Sequence, residues 1–243
     1  MPGADRGAGL PAAYRVREVV RETSQVRRYV FDGRLPARPG QFVMAWLPGV
    51  DEKPFSLMDS DPLTLAVAEV GPFTRALGRL VAGDRLWMRG PFGRGFELRG
   101  QRLLLVAGGY GAAPLAFLAG QARRAGKDVT VIVAARTREL LLLADHFAGI
   151  GCRVLTCTDD GSDGNRMLAD AAAAQALDGQ RFDGIYACGP AAMLEAIERL
   201  ARARHLPAQI SREAYMRCGI GVCGSCTCGD QLVCQDGPVF FVE

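Results

Sequence analysis

Long apolar runs, basic runs and histidine are all scarce in this sequence of 243 residues. No apolar run approaches the roughly 20 residues that a membrane-spanning helix needs, so we predict no membrane span. The opening residues, MPGADRGAGLPAA, lack a basic segment followed by an apolar core, which favours a cytoplasmic protein with a flexible tail over residues 1–12. The net charge is only +3, and no basic run contains interleaved aromatic residues, so nucleic acid is not an expected partner.

The two histidines, His146 and His205, lie outside any recognisable motif. No Ser–His–Asp or Cys–His arrangement is suggested, so we assign no catalytic acid, base or nucleophile. Apolar residues make up 49% of the chain and charged residues 23%, which is ordinary for a packed globular protein and excludes disorder as its main state.

Cysteine is the informative residue type. The chain has eight cysteines, and five of them fall between Cys218 and Cys234. A secreted disulfide framework would spread its cysteines along a short chain. A terminal cluster in a longer chain without a secretion signal indicates a metal or redox site in a reducing compartment.

The pattern of the chain changes twice. Residues 14–91 contain short strands separated by Gly, Pro and Asp, with one helix pattern at 73–83, which is typical of an antiparallel barrel. From Gln101 onward, buried apolar runs alternate with helix patterns, which predicts a doubly wound parallel sheet. After Pro207 the chain is rich in Cys and Gly. We therefore predict an antiparallel β-barrel over 1–98, an α/β domain over 99–207 and a small cysteine module over 208–243.

The cysteine module has a characteristic spacing. Cys218, Cys223 and Cys226 follow the pattern C-x4-C-x2-C, and a further cysteine comes later, as in plant-type [2Fe–2S] proteins. Small residues between the cysteines let the loop curl around a cluster. Structural zinc is the alternative, but zinc sites usually have paired C-x2-C knuckles. Cys228 is two residues from Cys226, a poor spacing for a second ligand, and we interpret it as a spare thiol.

Glycines and carboxylates follow the strands of the α/β domain. Gly108, Gly109 and Gly111 join the first buried strand to its helix, where parallel sheets bind phosphates. Asp159 and Asp160 follow the third strand, where a carboxylate accepts hydrogen bonds from ribose hydroxyls and repels a 2′-phosphate. This favours NAD over NADP. Arg136 and Arg138, after the second strand, would favour the opposite, although arginines at strand ends are commonly solvated.

Three short motifs of the barrel, in this order, resemble the ferredoxin reductase-like family of flavoproteins. They are Lys53-Pro54-Phe55-Ser56, the turn of Gly71, Phe73 and Thr74 at a helix start, and Gly90-Pro91-Phe92-Gly93. The resemblance implies that the first motif holds the flavin of FAD and the second its pyrophosphate. Lys53 stands where the family usually has Arg, so the bidentate contact of a guanidinium is lost.

The same resemblance assigns the α/β domain to nicotinamide dinucleotide binding. It makes the Gly108–Gly111 turn the pyrophosphate loop. It also places Cys188, Gly189 and Pro190, at the end of the fourth strand, beside the nicotinamide; the other interpretation of Cys188 is a small buried apolar residue.

The chain as a whole resembles the electron-transfer subunits of class B dihydroorotate dehydrogenase. The matching stretches, in order, are KPFSL, VGPFT, GPFGRGF, AGGYGAAPL, TDDGSDG, YACGPAAML, MRCGIGVCGSCTC and VCQDGPVF. The resemblance implies cluster ligands Cys218, Cys223, Cys226 and Cys234, although many relatives have a longer loop before the fourth cysteine. It also implies an FMN-containing catalytic partner, with two copies of each chain, that oxidises dihydroorotate for pyrimidine biosynthesis. Electrons would then run through the [2Fe–2S] cluster and FAD to NAD⁺.

Two alternatives remain open from the sequence. The chain could be an analogous FAD and [2Fe–2S] reductase subunit of another redox complex, of the hydrogenase, sulfide-linked or bifurcating transhydrogenase type. It could also be a non-catalytic module whose cysteines bind structural zinc.

Overall fold

The computed structural model describes residues 9–242, and the N-terminal part of this range forms a closed barrel. Its six strands follow the order β1–β2–β5–β4–β3–β6, and all neighbouring strands are antiparallel. The predicted antiparallel barrel is therefore confirmed. The strands are β1 (Ala12–Arg21), β2 (Val26–Phe31), β3 (Phe42–Leu47), β4 (Asp51–Ser60), β5 (Leu63–Ala68) and β6 (Arg85–Phe92). Residues 1–8 of the predicted flexible tail lie outside the described residues, and Ala12 already begins β1.

The segment Lys53–Ser56 follows β3 and lies within a further strand, β4. The sequence pattern does not predict β4, because charged residues and Pro54 conceal it. In the structure Lys53 lies opposite Ala45 of β3, and Ser56 lies opposite Phe42. In the third motif of the barrel, Gly90, Pro91 and Phe92 form the end of β6, and Gly93 follows it.

The helix of the barrel, α1 (Pro72–Leu77), is shorter than the predicted range of 73–83. Gly71 is its N-cap and Gly78 follows its last residue. Beyond Gly78 the chain continues in tight turns, with Leu80 N–H donating to the Leu77 carbonyl. Glycine has a low helix propensity, so the apolar residues after it do not extend the helix.

The second half forms a six-stranded sheet in the order β14–β11–β10–β7–β8–β9. Its first four strands in the chain are β7 (Arg102–Gly108), β8 (Asp128–Ala135), β9 (Arg153–Thr158) and β10 (Gly184–Cys188). Neighbouring strands among these four are parallel. The crossing helices are α2 (Ala112–Arg124), α3 (Ala144–Gly149), α4 (Ala169–Gly179) and α5 (Ala191–Ala203). Helix α3 begins directly after Leu143, which has a positive φ.

Two strands from the predicted cysteine module complete this sheet. Strand β11 (Ala208–Ser211) pairs in parallel with β10, and β14 (Val239–Val242) pairs antiparallel with β11. The cysteines lie between these two strands, together with a small hairpin of β12 (Thr227–Cys228) and β13 (Gln231–Leu232). The ends of the 208–243 segment therefore belong to the α/β sheet, while the domain boundaries themselves stay predictions.

The barrel and the sheet share apolar packing. Phe117 of α2 is buried within the cluster of apolar residues that fills the barrel. Val239 of β14 and Phe96, which follows β6, belong to the core between the sheet and α2. None of the helices formed by residues 9–242 is long and apolar enough to cross a membrane.

Candidate functional site

A cleft of about 770 Å³ opens at the carboxyl ends of the parallel strands. Strand β7 lies between β8 and β10, so the chain turns to opposite sides of the sheet here, and such crevices bind ligands in α/β proteins. Six residues predicted for nucleotide binding line the cleft: Gly108, Gly109, Gly111, Asp159, Gly189 and Pro190. The structure therefore brings together the loops after β7, β9 and β10.

Glycine is required where two of these loops meet. A β carbon at Gly111 would lie 2.1 Å from the Cys188 carbonyl oxygen. A β carbon at Gly108 would lie 2.7 Å from the Met193 sulfur, and Met193 itself lines the cleft. These contacts lie far inside normal van der Waals distances. The missing side chains let the floor of the cleft pack closely while its backbone stays open to a ligand.

The two predicted ribose carboxylates have different surroundings. Asp159 lines the cleft, whereas Asp160 is not among the lining residues. The Asp160 carboxylate accepts hydrogen bonds from the Ser162 hydroxyl at 2.6 Å and the Ser162 N–H at 2.9 Å, which lowers the pKa of Asp160. Asp160 therefore holds its own turn, and Asp159 is the carboxylate that a bound nucleotide would meet.

Cys188 lies beneath the cleft rather than in its lining. Its side chain is buried, and burial raises the pKa of its thiol to about 12. The thiol is therefore neutral at physiological pH, and it packs into the apolar core around α2. The adjacent Gly189 and Pro190, in contrast, reach the cleft surface.

Several lining residues were not predicted from the sequence. Glu213 follows β11, and desolvation raises the pKa of its carboxyl group. Tyr110 and Arg199 line the sheet side, while Thr23 and Gln25 contribute a wall from the barrel. Recognising β11 as a strand would have revealed Glu213, because it follows the end of that strand. No sequence signal indicates the barrel wall.

The predicted flavin residues of the barrel lie outside the lining of this cleft. Phe55 and Phe73 pack together, with ring centroids 6.0 Å apart. Lys53 forms an ion pair with Asp51, and its ammonium lies 6.0 Å from the ring centroid of Tyr215, which is exposed. Tyr215 is two residues from Glu213, so one short segment runs from the cleft to the Lys53–Ser56 strand.

Thr74 organises the start of α1. Its hydroxyl oxygen accepts hydrogen bonds from the N–H groups of Val70 and Gly71, both at 2.9 Å. A β carbon at Gly71 would meet no atom within 4 Å, so the space beside this backbone is open.

The four predicted cluster ligands lie in two pairs. Hydrogen bonds with the side chains and backbones of Ser225 and Cys218 lower the pKa of Cys223 to about 6. The N–H of Cys234 donates to the Cys226 sulfur at 3.4 Å, and burial raises the pKa of Cys234 to about 11. The remaining cysteine of the segment, Cys228, is exposed on the small hairpin.

The module packs on the outside of the barrel. Cys226 and Cys234 are buried in an apolar cluster with Phe42, Met44 and Phe92. Gly219 has a positive φ, and a β carbon there would lie 2.9 Å from a side-chain carbon of Met44. Across residues 9–242, no three or more His, Cys, Asp or Glu side chains are gathered to hold a single metal ion. Cys218 also acts electrostatically on Cys234, so the two pairs are near each other, and four thiols is the number of ligands that a two-iron cluster takes.

Two family models match the chain. The iron-sulfur cluster binding domain of dihydroorotate dehydrogenase B matches residues 213–243, and the oxidoreductase NAD-binding domain matches residues 105–199. Both matches fall on the parts of the structure just described, namely the cysteine module and the cleft-bearing sheet. They confirm the predictions of an iron–sulfur cluster and of nicotinamide dinucleotide binding.

Curated relatives and a solved structure are similar over nearly the whole chain. A probable dihydroorotate dehydrogenase B (NAD(+)), electron transfer subunit, of Thermococcus kodakarensis is 45% identical over 93% of this chain and 94% of that protein. The relative with the same name from Methanocaldococcus jannaschii is 41% identical over 95% of this chain and 90% of that protein. A chain of the NADH-dependent reduced ferredoxin-NADP oxidoreductase, studied for flavin-based electron bifurcation, has a TM-score of 0.83 and 28% identity. It covers 100% of this chain and 90% of its own length.

Proposed function

The chain belongs to the family of electron transfer subunits of NAD-dependent dihydroorotate dehydrogenase B, and we propose that it links an FMN-containing catalytic subunit to NAD⁺ through a [2Fe–2S] cluster and FAD. An electron transfer subunit works with a catalytic subunit, here the one that oxidises dihydroorotate to orotate in pyrimidine biosynthesis. We further propose an assembly of two copies of each chain. The cofactors FAD, iron–sulfur cluster and NAD agree with the matched domains and with the flavin-based neighbour.

The observation that supports this proposal most directly is the placement of the two thiol pairs. Cys218 with Cys223, and Cys226 with Cys234, lie on a module that packs against barrel residues Met44 and Phe92. Thiolates are the ligands that iron–sulfur clusters require, and hydrogen bonds that favour the thiolate of Cys223 fit that role. A cluster held by these four residues would lie against the barrel wall.

The barrel strand β4 and the start of α1 would hold FAD. Phe55, packed on Phe73, offers an aromatic surface to a flavin ring, and Ser56 and Lys53 offer polar groups on the same strand. The open backbone at Gly71 would accept the pyrophosphate, while Thr74 keeps the turn in shape. Lys53 is already paired with Asp51, so it would act as a point charge rather than as a bidentate donor.

The cleft would hold the nicotinamide dinucleotide. The Gly108–Gly111 turn would accept its pyrophosphate, Asp159 its adenosine ribose, and Gly189 with Pro190 its nicotinamide end. When bound, FAD exchanges a hydride with the nicotinamide and single electrons with the cluster. The protein itself would then bind and orient both groups and exclude water from them.

A single substitution tests the ligand assignment. In protein purified without air, we expect Cys223→Ser to lose the iron of the cluster and its visible absorption while FAD remains bound. Flavin reduction by NADH should continue in this variant, because the cleft and the barrel are untouched. Unchanged iron content would contradict the assignment.

Cys228→Ser is the matched control, since Cys228 is an exposed cysteine of the same module. It should retain full iron content. The double variant Cys223→Ser/Cys228→Ser excludes Cys228 as a replacement ligand. Zinc in the wild-type protein, or no metal at all, would overturn the proposal as a whole.

A second candidate is a reductase subunit of another redox complex, which the 0.83 TM-score with the NADH-dependent reduced ferredoxin-NADP oxidoreductase favours. The two candidates differ in their partner. Oxidation of NADH with orotate as acceptor, seen only after the dihydroorotate dehydrogenase catalytic subunit is added, supports the first. Failure of that mixture to react, with full cofactor content in both chains, supports the second.

A further inference from the structure

Both tryptophans of the chain lie side by side on the outside of the barrel. Trp46 of β3 is opposite Trp87 of β6, with ring centroids 6.1 Å apart in an edge-on arrangement. Trp46 is 38% exposed. Tryptophan is enriched at the energetic centres of protein interfaces and is seldom left on a free surface without a role.

Two arginines continue the same outer face. Arg15 of β1 is directly opposite Arg85 of β6, and both are exposed. Within residues 9–242 neither guanidinium has a carboxylate or other hydrogen-bond partner. Like charges directly opposite each other destabilise a sheet, so this pair is unfavourable for the isolated barrel. We call the surface of Arg15, Arg85, Trp46 and Trp87 the tryptophan face.

A depression of about 660 Å³ lies beside Trp87 on this face. Arg15 and Arg85 line it, and the single carboxylate in its lining is Asp84. The Asp84 carboxylate accepts a hydrogen bond from the Val81 N–H at 2.8 Å. The depression therefore presents two cations without partners next to an aromatic wall, which is the complement of an acidic group set in an apolar surround.

The tryptophan face is continuous with the cysteine module. Side chains two residues apart on a strand point to the same side, about 7 Å apart, so Trp46 lies next to Met44. The module covers Met44 through Gly219. The loop beyond Gly219 exposes Ile220 and Val222, and Val222 is 78% exposed. A protein seated on the tryptophan face would thus also border the loop that carries Cys218 and Cys223.

We propose that the tryptophan face docks the catalytic subunit, through an acidic patch of that subunit that meets Arg15 and Arg85 beside the two tryptophans. This inference rests on the proposed function, because it takes the partner to be the subunit that exchanges electrons with the cysteine module. A second copy of this chain fits the face poorly. A two-fold contact through the same face would bring four unpaired arginines together.

The test uses the complete, cofactor-loaded chain and the catalytic subunit of the same organism. Their dissociation constant is measured by calorimetric titration at low and at high salt. We expect Arg15→Glu/Arg85→Glu to raise it about 100-fold at low salt, because like charges would then oppose the acidic patch. Trp46→Ser is expected to raise it about tenfold at both salt concentrations, since its contribution is apolar.

The control is Arg124→Glu/Arg181→Glu, which reverses two exposed arginines of the α/β domain away from the tryptophan face. It should change affinity by no more than about twofold. All variants should retain iron, flavin and NADH-dependent reduction of a small one-electron acceptor, because none of these residues is placed in a cofactor site.

The outcomes separate this inference from the proposed function. If the wild-type chain does not bind the catalytic subunit, both fail. If the wild-type chain binds and the arginine-reversal variant binds equally well, only the assignment of the tryptophan face as the docking surface is wrong. A reversal that abolishes self-association, or binding to anionic phospholipid vesicles, while leaving partner affinity unchanged would assign the face to that other occupant and overturn the inference.

Discussion

The α carbon of Gly111 faces the backbone of Cys188 so closely that a β carbon would lie 2.1 Å from the Cys188 carbonyl oxygen. Gly111 is the N-cap of α2 and Cys188 ends β10, so this contact joins the loop after β7 to the end of β10 at the floor of the cleft. Both partners are backbone groups that no side-chain rotation can move aside. The floor of the cleft therefore depends on a hydrogen atom at position 111.

Gly111→Ala is predicted to destabilise the chain by about 1–3 kcal/mol, because the backbone must shift to admit the methyl group. The melting temperature measured by calorimetry should fall by several degrees, and the KM for NADH should rise as the cleft deforms. Gly179→Ala is the control, since a β carbon at Gly179, the last residue of α4, would meet no atom within 4 Å. Equal melting temperatures for Gly111→Ala and wild type would contradict this steric argument.

Asp159→Asn is predicted to relax the preference for NADH. Removing the negative charge in the cleft removes its repulsion of a 2′-phosphate, so the ratio of kcat/KM for NADPH to that for NADH should rise about tenfold, which corresponds to about 1.4 kcal/mol. This ratio is measured by stopped-flow reduction of the flavin with each nucleotide. Asp160→Asn should leave the ratio unchanged, because Asp160 is bonded to Ser162 outside the cleft lining. Wild-type protein reduced equally fast by both nucleotides would refute the role of Asp159.

Glu213 is predicted to favour NAD⁺ over NADH, because the oxidised nicotinamide is positively charged and a carboxylate attracts it. Glu213→Gln should weaken binding of NAD⁺ about fivefold relative to NADH. Desolvation raises the pKa of Glu213 above its usual value, so the carboxylate predominates above that raised pKa and its effect is lost as the pH falls through it. Titrations of both nucleotides across this range should show the pH dependence in wild type only. Glu195→Gln, at an exposed position of α5, is the control.

The three cysteines of the α/β domain are predicted to resist alkylation. Burial raises the pKa of Cys152 and Cys157 to about 11 and that of Cys188 to about 12, so very little thiolate forms at neutral pH. In the cluster-loaded protein, where Cys223 would be a ligand, the exposed Cys228 should react first with iodoacetamide. Peptide mapping by mass spectrometry measures the order, and raising the pH toward 11 should accelerate labelling of the three cysteines of the α/β domain. Rapid labelling of Cys188 in the folded protein at neutral pH would mean that its surroundings are open.

The parallel sheet was predictable from the sequence because its strands are continuous apolar runs, as in the segment 103–107, which is buried on both faces. Strand β4 was not, because Asp51, Lys53 and Pro54 break the alternation that marks a half-exposed strand. Strand β11 was missed because it is only four residues long. Missing it also hid Glu213, whose place in the cleft depends on that strand.

The candidate site, like the fold, was predictable only where its signals are local in the sequence. Glycines at strand ends and cysteines at fixed spacing are local signals, and the structure places the glycines in one cleft and the four cysteines in two pairs. Asp160 is held by Ser162, two residues further along the chain, whereas the place of Asp159 in the cleft depends on the packing of the loops around it. The walls given by Thr23 and Gln25 come from another part of the chain, and only tertiary packing brings them to the cleft.

The cysteine segment leaves the sheet at Ser211 and returns at Val239, which are paired neighbours, while its middle rests on Met44 and Phe92 of the barrel. Both ends of the segment are therefore fixed in the α/β sheet, and its middle packs against the barrel. A cluster held by this segment would therefore be fixed relative to both the sheet and the barrel, and would keep a constant distance from a flavin bound in the barrel while nucleotides enter and leave the cleft.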